Sequence, residues 1–99
     1  MVILYAMSEY IEIESEISDD GKQMAVYTNL ILSDQAEESY DSAAAMEEGS
    51  PVVQALSIIK DIATLQIMEQ QDMIITRQPD AEWHAIIADI SAALKDFFL

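Results

Sequence analysis

Nine carboxylates, Glu12, Glu14, Glu16, Asp19, Asp20, Glu37, Glu38, Asp41 and Glu48, crowd the first half of this chain, where Lys22 is the only base in fifty residues. Side chains of this type at this density can hold a hard cation, exchange protons with a substrate, or present a negative field to a basic partner. The first needs oxygen ligands on a tight loop, and neither Asp19-Asp20-Gly21 nor the Asp34 to Asp41 run follows the twelve-residue calcium pattern. The second needs two carboxyls whose surroundings push their pKa values apart. Only Asp61 and Glu69 interrupt an apolar pattern, and they do not pair in sequence. The third needs only the field.

Spacing adds to that third possibility. Glu12, Glu14 and Glu16 alternate with Ile11, Ile13, Ser15 and Ile17. Same-face residues of a strand repeat at roughly 6.6 Å, and phosphates advance about 3.4 Å per nucleotide along one DNA strand. Alternate carboxylates therefore match every second step of a phosphate row. A merely solvated acidic face is the simpler reading where bases are interspersed to relieve repulsion, but here Lys22 stands alone.

Other candidate chemistry falls away. His84 follows Asp80 by four residues, and one histidine with one carboxylate lacks the third ligand of a catalytic zinc site. Asp41-Ser42 resembles the Asp-Ser attachment site of acyl carrier proteins, but Ala43-Ala44-Ala45 supplies no bulky apolar residue after the serine. The sequence thus gives no catalytic residue, no cofactor site and no metal site, and the chain is not read as an enzyme.

The whole chain carries nineteen carboxylates against four cations, a formal charge of −15 over 99 residues. Residues 1–50 contribute −11 and residues 51–99 contribute −4. That balance argues against direct binding to nucleic acid or to an anionic membrane, since both require basic patches. A hydrophobic content of 52%, with two glycines and two prolines, is wrong for a disordered acidic tail and right for a single domain over residues 1–99 with one modest core. The absence of cysteine fits a reducing compartment, and a cytoplasmic location is expected. Met1 to Met7 is apolar but has no basic region and soon meets Glu9, unlike a signal peptide. Val52 to Met68 is interrupted by Lys60 and Asp61, unlike a membrane span.

These residues have to be positioned by secondary structure. The alternation over Tyr10–Ile17 predicts a strand with Ile11, Ile13 and Ile17 on one face and the glutamates on the other. Ser18 to Lys22 is turn chemistry, and Met24 to Leu32 suits a second strand, so the two form a hairpin. A helical reading of the same stretch puts Glu14 inside the apolar arc. Asp34 and Glu37 have capping-box spacing and predict a helix ending near Gly49, with Glu37, Glu38, Asp41 and Glu48 on one side of it. Ser50-Pro51 restarts the chain as an N-cap with proline at the first helical position. The apolar positions from Val52 to Ile67 predict a central core helix whose apolar arc spans roughly 200°. Met73 to Thr76 either finishes that helix or forms a short strand. Pro79-Asp80 opens a last helix with Trp83, Ile86, Ile87, Ile90, Leu94, Phe97 and Phe98 on one stripe and Asp89, Ala92 and Asp96 opposite.

The expected fold is α+β, an acidic N-terminal β-hairpin packed on two or three helices, with an all-α four-helix bundle as the alternative. The expected function is binding: a small acidic inhibitor or modulator that occupies the basic surface of another protein, a nucleic-acid-binding protein being one class of such partner, by means of the nine carboxylates. The alternative is a dimeric acidic chaperone or assembly adaptor. It would bind its client through apolar helices and form a homodimer through the C-terminal helix.

Overall fold

The computed structural model describes the backbone of residues 3–7 and all of residues 11–99. Tyr10, expected to open the first strand, lies outside the described residues, as do the side chains of Met1 to Glu9. Chain order is β1 (Ile3–Met7), β2 (Glu12–Ile17), β3 (Gln23–Thr28), β4 (Glu37–Tyr40), α1 (Ala43–Glu47), α2 (Pro51–Leu56), β5 (Ile62–Met68), β6 (Asp72–Arg77) and α3 (Trp83–Phe98). The strands form one antiparallel sheet in the order β1-β2-β3-β6-β5-β4. The class is therefore α+β, and the four-helix alternative is incorrect.

Alternation in β2 works as a pleated strand requires. Ile11, Ile13 and Ser15 are buried while Glu12, Glu14 and Glu16 are exposed, because successive side chains of a strand point to opposite faces. The β2–β3 turn is closed by Ser18 N–H to the Gln23 carbonyl and by Gly21 N–H to the Ser18 carbonyl, both 2.9 Å. Gly21 takes φ +71, a conformation that L side chains rarely adopt. Pairing of Glu14 with Tyr27 and of Glu16 with Ala25 then sets the register. β3 ends at Thr28, short of the expected Leu32, because Leu32 turns inward and its N–H donates to the Gln70 carbonyl at 2.7 Å.

The helix expected from Asp34 to Gly49 does not form. Ser33, not Asp34, organises the turn there, its hydroxyl accepting from Gln35 N–H at 3.0 Å. Glu37–Tyr40 is the edge strand β4, paired only with β5. The apolar side of the expected helix, Ala36, Tyr40, Ala43 and Met46, offers little to bury, so the ladder on β5 prevails over local helix signals. A short helix, α1, follows, capped by the Ser42 hydroxyl accepting from Ala45 N–H at 3.1 Å.

The expected core helix from Val52 to Ile67 is also a correction. Only Pro51–Leu56 is helical, after the break expected at Ser50-Pro51; residues 57–61 turn, and Ile62–Met68 is β5. A 200° arc asks one helix to bury more than a single face, and the chain instead divides the same residues between two elements. In β5, Thr64 and Gln66 alternate with the buried Leu65 and Ile67, while Ile58, in the turn, is 71% exposed. Residues 72–77 take the strand option, as β6. The last helix begins at Trp83 and not at Pro79-Asp80, which instead form a turn held by Ala81 N–H to the Gln78 carbonyl.

One core joins the sheet to its helical layer. Ile13, Met24, Val26, Leu65, Ile67, Met73 and Ile75 from the strands meet Met46, Val53, Leu56, Trp83, Ile86, Ile90 and Leu94 from the helices. Each large aliphatic side chain so enclosed contributes about 1.5–3 kcal/mol. The α3 stripe from Trp83 to Leu94 belongs to this core, with Asp89, Ala92 and Asp96 exposed.

Candidate acidic sheet face

The helices cover one side of the sheet, and residues of opposite parity make up the other. Cross-strand register places Glu14, Tyr27, Asp72, Met68 and Glu37 in one row, and Glu16, Ala25, Ile74, Gln66 and Ser39 in the next. Gln23, Thr76 and Thr64 form a third row, in which the two threonine hydroxyls hydrogen-bond to each other. Glu12 extends the β2 line, its N–H donating to Asn29 Oδ1 at 3.0 Å. Among the described residues no lysine or arginine stands on this face: Lys22 is in the β2–β3 turn, Lys60 is in the turn before β5, Lys95 is on α3, and Arg77 lies over the Trp83 ring, 5.2 Å from its centroid.

The nine expected carboxylates do not form one cluster. Glu12, Glu14 and Glu16 line β2 on the uncovered face. Asp19 and Asp20 sit in the turn beyond it, where Asp20 accepts from the Ser18 hydroxyl at 2.6 Å and from Lys22 N–H at 3.0 Å. Those two donors, the hydroxyl first, hold the Asp20 carboxyl below the usual aspartate range. Glu37 is on the same face as the β2 glutamates but on β4, with three strands between, about 19 Å away at the usual interstrand spacing. Asp41 follows β4, and Glu48 ends α1, both exposed.

Glu38 is on the other side of β4. The expectation that it shares a side with Glu37 fails because neighbours in a strand point to opposite faces. Its Oε1 accepts from the Tyr40 hydroxyl, while Oε2 is enclosed near Ser33 and Ser50 without a well-formed hydrogen bond. Burial raises the Glu38 carboxyl, but the Ser33, Tyr40 and Ser50 hydroxyls and the Ser50 N–H outweigh it and hold the group below the usual glutamate range. Tyr40 is raised by burial and then by Glu38. Gly49 belongs to this arrangement, since a Cβ there would meet the Tyr40 ring at 2.8 Å. Glu38 is thus a structural carboxylate.

Asp72 was missed as a site residue. It stands on the uncovered face between Tyr27 and Met68, and burial followed by the charge of Glu69 raises its carboxyl above the usual range. Its neighbours Tyr27, Thr64, Gln66, Met68, Ile74 and Thr76 were missed as well. A signal existed in the alternation of Thr64 and Gln66 with Leu65 and Ile67, which the helical reading of that run passes over.

Among the described residues no group of three or more acidic or histidine side chains is arranged to hold a metal ion, and no helix is long and apolar enough to cross a membrane. Scans against protein-family models and against curated proteins return no match to this chain, so its chemistry is read from the sheet face alone.

Proposed function

We propose that this chain is a binding protein whose uncovered sheet face occupies a basic surface on another protein and so inhibits or modulates that partner. One observation carries the reading: the face presents Glu12, Glu14, Glu16, Glu37 and Asp72 with no facing cation among the described residues. Like charges opposite or near one another on a sheet are destabilising, and an approaching basic surface relieves that repulsion. Opposed fields also speed encounter by orders of magnitude and select against wrong partners. The β2 glutamates repeat at about twice the phosphate rise along a nucleic-acid strand, which favours nucleic-acid-binding proteins as the partner class.

A second reading, the dimeric chaperone or adaptor, rests on a different surface. Phe97 (43% exposed) and Ile31 (57% exposed) line a cavity of about 260 Å³ together with Pro51, and Leu99, at the end of α3, is exposed. Apolar groups of this kind suit a client or a second copy.

Association kinetics against a partner recovered by pull-down at low and at high salt separate the two. Replacing Glu12, Glu14 and Glu16 together by Gln should slow association and flatten its salt dependence while the fold persists. An unchanged association rate for that folded triple variant, with affinity lost on Phe97→Ala, would transfer the function to the cavity lined by Phe97 and Ile31.

A further inference from the structure

We propose that the element received by the uncovered face is a basic amphipathic α-helix of the partner protein. It would lie along β3, β6 and β5, with its lysine or arginine flanks toward Glu12, Glu14 and Glu16 on one side and Glu37 on the other. The inference rests on the reading of the face as a basic-partner site and deepens it by naming the occupant.

Width is the first argument. From β3 across β6 to β5 are two interstrand spacings, about 10 Å, and a helix with its side chains is about 10–12 Å across. Six-residue strands run about 20 Å, the length of roughly 14 helical residues. The strip between the acidic margins thus has the footprint of one helix of about four turns.

Chemistry is the second. The strip is partly apolar, with Asp72 at one end as its one charged side chain: Tyr27 is 41% exposed, Met68 is exposed, and Ile74 and Ala25 are half-buried. Thr64 and Thr76 hydrogen-bond to each other, so an apolar stripe that covers them leaves a single hydroxyl hydrogen to be met by the occupant. The surface is also hollowed along this line. A depression of about 400 Å³ is lined by Thr64, Gln66, Ile74 and Thr76 and reaches Ser39 and Asp41 at the β4 margin, and a smaller one lined by Ala25, Tyr27 and Ile74, reaching Glu16 at the β2 margin, adjoins it. Apolar centre and charged margins are the usual anatomy of a protein interface.

Competing occupants fit less well. A second copy of this chain would bring the same acidic face and another net charge of −15. A flat basic surface would meet the margins and leave the Tyr27–Ile74 hollow empty. Asp72 adds a constraint: a carboxylate covered at the β5–β6 end of the strip needs a cation, so the helix must carry a lysine or arginine at that end.

The test uses the intact protein and three synthetic probes: an amphipathic peptide of about 14 residues with a Leu stripe and Lys flanks, its shuffled sequence without a stripe, and oligolysine. Affinity is measured by fluorescence anisotropy, peptide helicity by circular dichroism and location by NMR shifts of assigned amides. The proposal expects the striped peptide to bind at least about tenfold more tightly than the shuffled one and to gain helicity. It also expects shifts at Ala25, Tyr27, Gln66 and Ile74, and loss of the preference in Ile74→Ser. Equal binding of all three probes would overturn the helix while leaving the acidic-face reading intact. Absence of binding by every probe at low salt would overturn both, and shifts confined to the helical layer would overturn the placement.

Discussion

Trp83 Nε1, at the start of α3, donates a 2.9 Å hydrogen bond to the Gly21 carbonyl in the β2–β3 turn, 62 residues earlier in the chain. The indole also lies under the Arg77 guanidinium, whose NH1 group donates to the Ala81 carbonyl at 3.0 Å. One side chain therefore ties the acidic turn, the end of β6 and the beginning of α3 into a single corner.

Trp83→Phe keeps most of the packing and removes the donor, so it should destabilise by about 1 kcal/mol and speed amide exchange over residues 18–22. Trp83→Ala also empties the site and should cost about 3–5 kcal/mol. Urea titrations of both variants check the pair. Equal losses would mean that the hydrogen bond alone holds the corner, and no loss in Trp83→Phe would mean that packing alone does.

Ile58 and Ile59 are adjacent yet differ in environment, one 71% exposed in a turn and the other buried. Ile58→Asp and Lys60→Asp should change stability by no more than about 0.5 kcal/mol. Ile59→Asp and Ile62→Asp place a charge in the core and should leave the chain largely unfolded. Thermal melts of the four variants distinguish this arrangement from a continuous helix, in which Ile58 would belong to the apolar arc.

Stability should respond to pH in opposite senses at two carboxyls. Glu38 is held below its usual range, so its contribution is present above the unfolded-state pKa and is lost as pH falls through the lower folded-state value. Asp72 is held above its usual range, so its ionisation opposes folding, and stability is lost as pH rises from its unfolded-state pKa through the folded one. Glu38→Gln should therefore destabilise by about 1 kcal/mol at neutral pH, with solvent screening limiting the loss, and the loss should vanish in acid. Asp72→Asn should stabilise at neutral pH and be neutral in acid. Denaturation midpoints across the acid range read both.

The β5–β6 turn holds two non-glycine residues at positive φ, Glu69 at 54 and Gln70 at 67. Three residues join the strands, since Met68 pairs with Asp72, and within them the turn closed by Gln71 N–H to the Met68 carbonyl at 3.2 Å has both centres left-handed, a geometry that favours Asn-Gly. Gln70 N–H donates to the Ala36 carbonyl and its carbonyl accepts from Leu32 N–H, so the turn is also the anchor of the long connection from β3 to β4. Those backbone bonds survive substitution. Glu69→Asn combined with Gln70→Gly should raise stability by about 1 kcal/mol, measured by denaturant titration.

Local pattern alone was enough where one element buries one face. The Ile–Glu alternation of β2 and the stripe of α3 from Trp83 to Leu94 could each be read from the chain, because a period of two or of 3.6 has a single way of hiding its apolar residues. The acidity of the β2 glutamates and the lack of neighbouring bases were equally legible, being matters of composition. Tertiary structure decided the rest. The run from Val52 to Ile67 contains enough apolar residues for either a helix or a turn and a strand, and pairing of β5 with β6 selects the latter. Glu37–Tyr40 has weak preferences of its own and is a strand only because β5 offers an edge. Strand order then separates Glu37 from Glu12, Glu14 and Glu16, and the pleat of β4 turns Glu38 inward to Tyr40. It also assembles Tyr27, Thr64, Gln66, Ile74 and Thr76, distant in sequence, into the strip between the acidic margins, since long-range backbone pairing, which no local window contains, determines which residues share a sheet face.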